Sequence, residues 1–142
     1  MTYGVPSKDY LFSIEERLKQ LAIPNHIFVN SLSEEELAIL RLQSDIVLNI
    51  QVTDAFSSSL IEHLYASSIL VCGDWLPYGI FDIFGIKYYK LPIINMPYIL
   101  KLIVENIQNE KKRMIGNLPA VYRMSSWKEV TPKLRLLFDN SL

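Results

Sequence analysis

The sequence predicts an α/β fold, a parallel sheet with helices on both faces. Three observations carry that prediction. Short strand-like segments alternate with segments whose apolar residues recur at helical spacing. Two of the strand candidates, DIVLNIQ (45–51) and SILVCG (68–73), are apolar almost throughout, as strands covered on both faces are. Apolar residues make up 50% of the 142, enough for one domain with a real core.

The elements follow in order. Ser7 caps a first helix whose apolar positions Leu11, Ile14, Leu18 and Leu21 share a face, and Pro24 ends it. HIFVN (26–30) is short and β-prone and reads as a strand. In SEEELAILRL, Ser33 and Glu36 form a capping box, and three glutamates sit where the helix dipole favours anions. Residues 45–51 form the next strand. Leu60, Ile61, Leu64 and Tyr65 then mark a helix from about Ser58 to Ala66. After the strand at 68–73 comes DWLPYGIFDIFGI, a loop-rich insert with one short helical turn, and then KYYKLP (87–92), a weak strand.

NMPYILKLIVENIQN starts a helix with Asn95 as its cap and Pro97 in its first turn. In the tail SSWKEVTPKLRLLF, Ser126 and Glu129 offer a second capping box. Pro132 requires that this helix either kink or begin at Thr131. The predicted order is α-β-α-β-α-β-loop-β-α-α. Such a sheet normally opens with a strand, whereas MTYGVPSKDY reads as the loop after one. The expectation is one domain over 1–142, a fragment of a longer chain whose sheet lacks its first strand.

Charge and composition exclude several classes. A net charge of −1 argues against a nucleic-acid-binding protein. Residues 101–142 hold eight Lys/Arg against four Asp/Glu, densest in NEKKRM (109–114). That reads as a solvated helix end, with peripheral contact to anionic membrane lipid as the alternative. No apolar run reaches the roughly 18 residues of a membrane span. No secretory leader is read, so the expected compartment is the cytoplasm, with the inner face of the membrane as the further option. Cys72 is the one cysteine, which leaves no disulfide framework; it reads as a small core residue. His26 reads as a strand-edge residue and His63 as a surface one, and neither has the cluster a metal needs.

The chemistry-bearing stretch is TDAFSSSLIEHL (53–64), which follows a strand and opens a helix. Ligands of doubly wound sheets bind at this junction, outside the carboxyl ends of the strands. Ser57, Ser58 and Ser59 would offer bare backbone N–H groups, small side chains and hydroxyls to a phosphate. Glu62, one turn on, would point back toward the same crevice and suits paired hydroxyls such as those of a ribose. Asp54 could meet a sugar hydroxyl. The bland alternative is a polar loop before an ordinary helix. Asp74 and Trp75, at the end of the next strand, are further candidates for the pocket wall. Tyr88 and Tyr89 read as packing residues.

The order of patterns resembles the C-terminal, donor-binding domain of retaining glycosyltransferases with the GT-B fold, the glycogen-synthase-like family. Its members carry two glutamates within E-G-F-G-x-x-x-x-E-A after a strand that follows Ala-Asp. In SDIVLNIQVTDAFSSSLIEHLYASSILVCGD, Ser44-Asp45 stands for Ala-Asp, Asp54 for the first glutamate, Phe56 for the Phe and Glu62 for the second glutamate. LSEEELAILRLQSD and SSWKEVTPKLRLLF resemble the family's preceding and closing helices, so the likeness runs from about residue 3 to 138. Ala55 and Ser57 replace the two glycines, DWLPYGI replaces a Gly-Gly loop, and the basic diphosphate clamp would lie upstream of Met1. The resemblance implies a Rossmann-like half of a GT-B fold that binds a nucleotide-diphosphate sugar, needs no metal or cofactor, and passes the sugar to a glycan or lipid-linked acceptor held by an absent N-terminal domain. It implies contact of Glu62 with the donor ribose, of Asp54 with the sugar, of Phe56 and Ser57–Ser59 with the donor, and of Asn30 to Leu32 with the base. The alternatives are a non-catalytic glycosyltransferase-like or flavodoxin-like interaction module, and a nucleotide-sugar epimerase.

Overall fold

The computed structural model describes residues 7–21 and 23–139, without the side chain at position 137. The chain divides into two compact units, one up to Ser33 and one from Glu34 onward. The first unit holds helix α1 (Lys8–Gln20), whose first turn is capped by Ser7 Oγ accepting from the Tyr10 N–H at 3.2 Å. The expected strand at 26–30 does not form. β propensity alone holds no backbone: a strand exists by pairing, and these residues pair with no strand among the described ones. His26 stands edge-on to Phe28, with ring centroids at 4.4 Å.

The second unit is mixed α/β: a three-stranded parallel sheet flanked by helices, in keeping with a Rossmann-like fold. After α2 (Glu34–Gln43), strand β1 (Ile46–Asn49) is followed by α3 (Ser58–Tyr65), β2 (Ile69–Gly73), α4 (Gly79–Ile83) and β3 (Tyr89–Leu91). The strand order is β1-β2-β3. Ile46 stands beside Ile69 and Asn49 beside Cys72, while Val71 stands beside Tyr89. A 3₁₀ turn (Ile93–Asn95) leads to α5 (Met96–Glu105), α6 (Ile107–Ile115), α7 (Leu118–Ser125) and α8 (Trp127–Asp139).

Both faces of the sheet are covered because β2 is apolar on both. Leu70 and Cys72 face one core with Leu60, Ile61 and Leu64 of α3, Tyr78 and Phe81 around α4, and Ala120 and Val121 of α7. Ile69 and Val71 face the other, with Ile103 of α5 and Met114 of α6. Each fully buried large side chain contributes roughly 1.5–3 kcal/mol. Asn117 is buried, and its amide pairs both ways with the Lys87 backbone, accepting at 2.8 Å and donating at 2.7 Å. It thereby ties down the backbone two residues before β3.

Three local expectations change, and one open choice is decided. The single helix after Asn95 breaks at Asn106 into α5 and α6. Asn95 takes the cap position, but its side chain makes no capping bond. Helix α7, with Pro119 in its first turn, was not expected at all. Helix α8 begins at Trp127, with Ser126 Oγ accepting from the Glu129 N–H at 3.3 Å, and it runs through Pro132 rather than starting at Thr131.

Candidate functional site at the carboxyl end of the sheet

The chain leaves β1 at Asn49 and enters α3 at Ser58, so residues 50–57 cross the carboxyl end of the sheet. Asn49 is buried beneath this crossing and organises it. Its Nδ2 donates to Asp54 Oδ2 at 3.0 Å and to the Tyr78 hydroxyl at 2.7 Å. Its Oδ1 accepts from the Gln51 N–H at 3.2 Å. The Tyr78 hydroxyl in turn donates to Asp54 Oδ2. Burial first, then the bond to Asp54, pushes the Tyr78 hydroxyl far above its ordinary pKa, so it stays a donor.

Phe56 sits in the left-handed region at φ 83°, a conformation rare outside glycine. Its ring is held against Tyr78 at 6.0 Å and Phe81 at 5.5 Å between centroids. The turn therefore has a packed aromatic floor. A strained residue persists where its surroundings over-determine it, and such residues cluster at ligand sites. Trp75 closes one side of the turn: its Nε1 donates to the Gln51 carbonyl at 2.9 Å. A methyl group at Gly73 would overlap the Trp75 indole, so glycine there lets the ring lie over the end of β2.

Ser57 is the cap residue of α3, yet its side chain makes no capping bond. The N–H groups of Ser57, Ser58 and Ser59 donate to nothing among the described residues. Ser58 is exposed, and Ser57 and Ser59 are half-buried. Three bare amides and the positive end of an eight-residue helix thus stand beside the Asp54 cluster.

Glu62 is turned elsewhere. Leu60, Ile61 and Leu64 take the buried side of α3, which directs position 62 to α2 instead of back along the helix. There Glu62 pairs with Arg41, on a hollow of about 350 Å³ whose wall includes Leu42 and Tyr65. Asp54 and Glu62 share no partner among the described residues. Asn30 is exposed and Leu32 half-buried, both in the irregular part of the first unit.

His63 is not a surface residue but half-buried. Ser68 Oγ donates to the Ser44 carbonyl at 2.9 Å, so it accepts from His63 Nδ1 at 3.3 Å. Burial, then the Arg41 charge, lowers the His63 pKa against an opposing pull from Glu62. Cys72 is buried in the core, and burial pushes its thiol up to about 11, which leaves it unreactive. Asp74 is exposed, and its N–H donates to the Leu91 carbonyl at 3.1 Å. Among the described residues no three His, Cys, Asp or Glu gather as metal ligands, and no helix is long and apolar enough to cross a membrane. Sequence reasoning missed Asn49, Tyr78 and Arg41. The one available signal was an Asn at the end of an otherwise apolar strand.

The chain matches no protein-family model, no curated protein and no solved structure.

Proposed function

We propose that the chain is the donor-binding domain of a retaining glycosyltransferase, which takes a sugar from a nucleotide-diphosphate sugar and passes it to a glycan or lipid-linked acceptor. The observation that supports this most is the passage from β1 to α3. Three unpaired amides at the head of a helix stand at the carboxyl end of a parallel sheet, beside a fixed carboxylate. The diphosphate belongs on the amides of Ser57, Ser58 and Ser59, over Phe56. As the bond to the sugar breaks, negative charge grows on the diphosphate, and the helix end stabilises it without reorganising. Asp54, oriented by Asn49 and Tyr78, is the group for a sugar hydroxyl. Glu62 is the group for the ribose, which requires it to leave its pair with Arg41 on the α2 side and turn back toward the head of α3.

Calorimetric titration with uridine, guanosine, adenosine and thymidine diphosphates, free and as glucose conjugates, tests the assignment. One of them should bind with unit stoichiometry. Glu62→Gln should weaken it about tenfold to a hundredfold, the loss of a charge-assisted hydrogen bond. A second reading, a degenerate module that binds a partner and no nucleotide, is favoured by one observation. The bonds from Tyr78 and Asn49 to Asp54 Oδ2 make that carboxylate a strut of the turn. Absence of saturable binding for every nucleotide selects this second reading.

A further inference from the structure

The basic residues of the C-terminal helices are of two kinds. In NEKKRM, Lys111 pairs with Asp45 and Arg113 with Glu110. In α8, Lys128 and Lys133 have no ion-pair partner among the described residues, and Arg135 has Asp139, one turn on, at 3.5 Å. The apolar residues of α8 are equally unoccupied. The helix packs against α7, but from Thr131 to Asp139 every described side chain is exposed. Trp127 is 78% exposed, Phe138 72% and Leu134 41%. At 3.6 residues per turn these three fall within about 40° of arc, so they form one stripe. Lys128 and Arg135 fall on one flank of the stripe and Lys133 on the other, while the half-buried Glu129 lies behind it.

We infer that α8 is a membrane-surface helix, lying along an anionic bilayer with Trp127, Leu134 and Phe138 in the interface and Lys128, Lys133 and Arg135 at the headgroups. Charge selects the occupant. Residues 111–138 hold seven Lys/Arg against one acidic residue, Glu129, in a chain whose net charge is −1, so attraction to an anionic surface is local to this end. Lysines beside an apolar stripe lay their methylene stems along it and keep their ammonium groups at the phosphates. Protein interfaces, by contrast, are depleted in lysine. An aromatic ring at each end of the stripe suits the boundary between headgroup and acyl chain. At 13 residues the helix is too short to span a bilayer, so it lies on the surface. The inference does not rest on the donor assignment. It uses no residue of the β1–α3 turn and no nucleotide.

The test is flotation of the full chain with lipid vesicles. Vesicles of phosphatidylcholine and phosphatidylglycerol, mixed roughly two to one, should carry it; phosphatidylcholine alone should bind it about tenfold more weakly, since only the anionic surface attracts the basic flanks. Raising the salt from about 0.1 to about 0.5 M should release most of the bound chain. Trp127→Ser combined with Phe138→Ser, both at exposed positions outside the core, should weaken binding about tenfold or more. Leu136→Ser, 62% exposed on the far side of the same helix, should bind as the wild type does. The proposal is overturned if anionic vesicles do not carry the chain, if neutral vesicles carry it equally well, or if Leu136→Ser costs as much as the stripe variant. It is also overturned if sedimentation without lipid shows a dimer that the stripe variant dissolves, which would make the stripe an interface between copies of this chain.

Discussion

Asp54 and Glu62 come to one sequence motif but to two surroundings, and the difference is set by single residues. Asp54 is fixed because Asn49, at the end of β1, and Tyr78, 24 positions after Asp54, both reach it. Removing the hydroxyl in Tyr78→Phe leaves a half-buried carboxylate short of one donor. The expected cost is about 1–3 kcal/mol, seen as a lower denaturant midpoint with an unchanged slope. A midpoint equal to that of the wild type would mean the bond stabilises nothing. His63 gives a pH dependence. Its folded-state pKa lies below the unfolded value of about 6.5, so the unfolded chain takes up the proton first. Its contribution to stability is therefore present above about pH 6.5 and is lost as pH falls through the lowered folded-state value. Urea unfolding at pH 7.5 and 5.0 should show that loss, and it should shrink in His63→Gln. The Tyr78 partner of Asp54 and the Arg41 partner of Glu62 were not legible in the sequence, because each contact joins distant stretches and leaves no local pattern. Asn49 at the end of an apolar strand was the one signal.

At the scale of elements, what was legible is what burial dictates locally. SILVCG became β2 because an apolar run with both faces covered needs no alternation. The stripe Leu60, Ile61 and Leu64 became the buried face of α3 at the expected register. HIFVN failed because its propensity found no pairing partner, and the break at Asn106 carried neither Pro nor Gly to announce it. The end of α3 fell where expected, at Ala66. Ser67 adopts φ 63°, and the Ser68 N–H reaches back to the His63 carbonyl at 3.0 Å, closing the helix with a left-handed residue where glycine is usual. Ser67→Gly should therefore raise stability by about 1 kcal/mol, with a melting temperature higher by a few degrees. A fall in stability would show that the Ser67 side chain contributes more than its backbone conformation costs.

The whole second unit is arranged around one polarity: parallel strands whose carboxyl ends all point to the same side. That polarity places the β1–α3 turn and the aromatic group of Phe56, Tyr78 and Phe81 together, and it was readable from the alternation of strands and helices. The orientation of Glu62 was not readable, since it depends on where α2 stands and not on the spacing within 53–64. The account as a whole depends on the three bare amides at the head of α3 taking up a diphosphate. The most direct measurement is a titration with a nucleoside diphosphate that follows the backbone amide resonances of Ser57, Ser58 and Ser59. Saturating downfield shifts of those three, larger than elsewhere in the chain, are predicted. Saturable binding that leaves them unmoved, or no binding at all, would contradict the assignment.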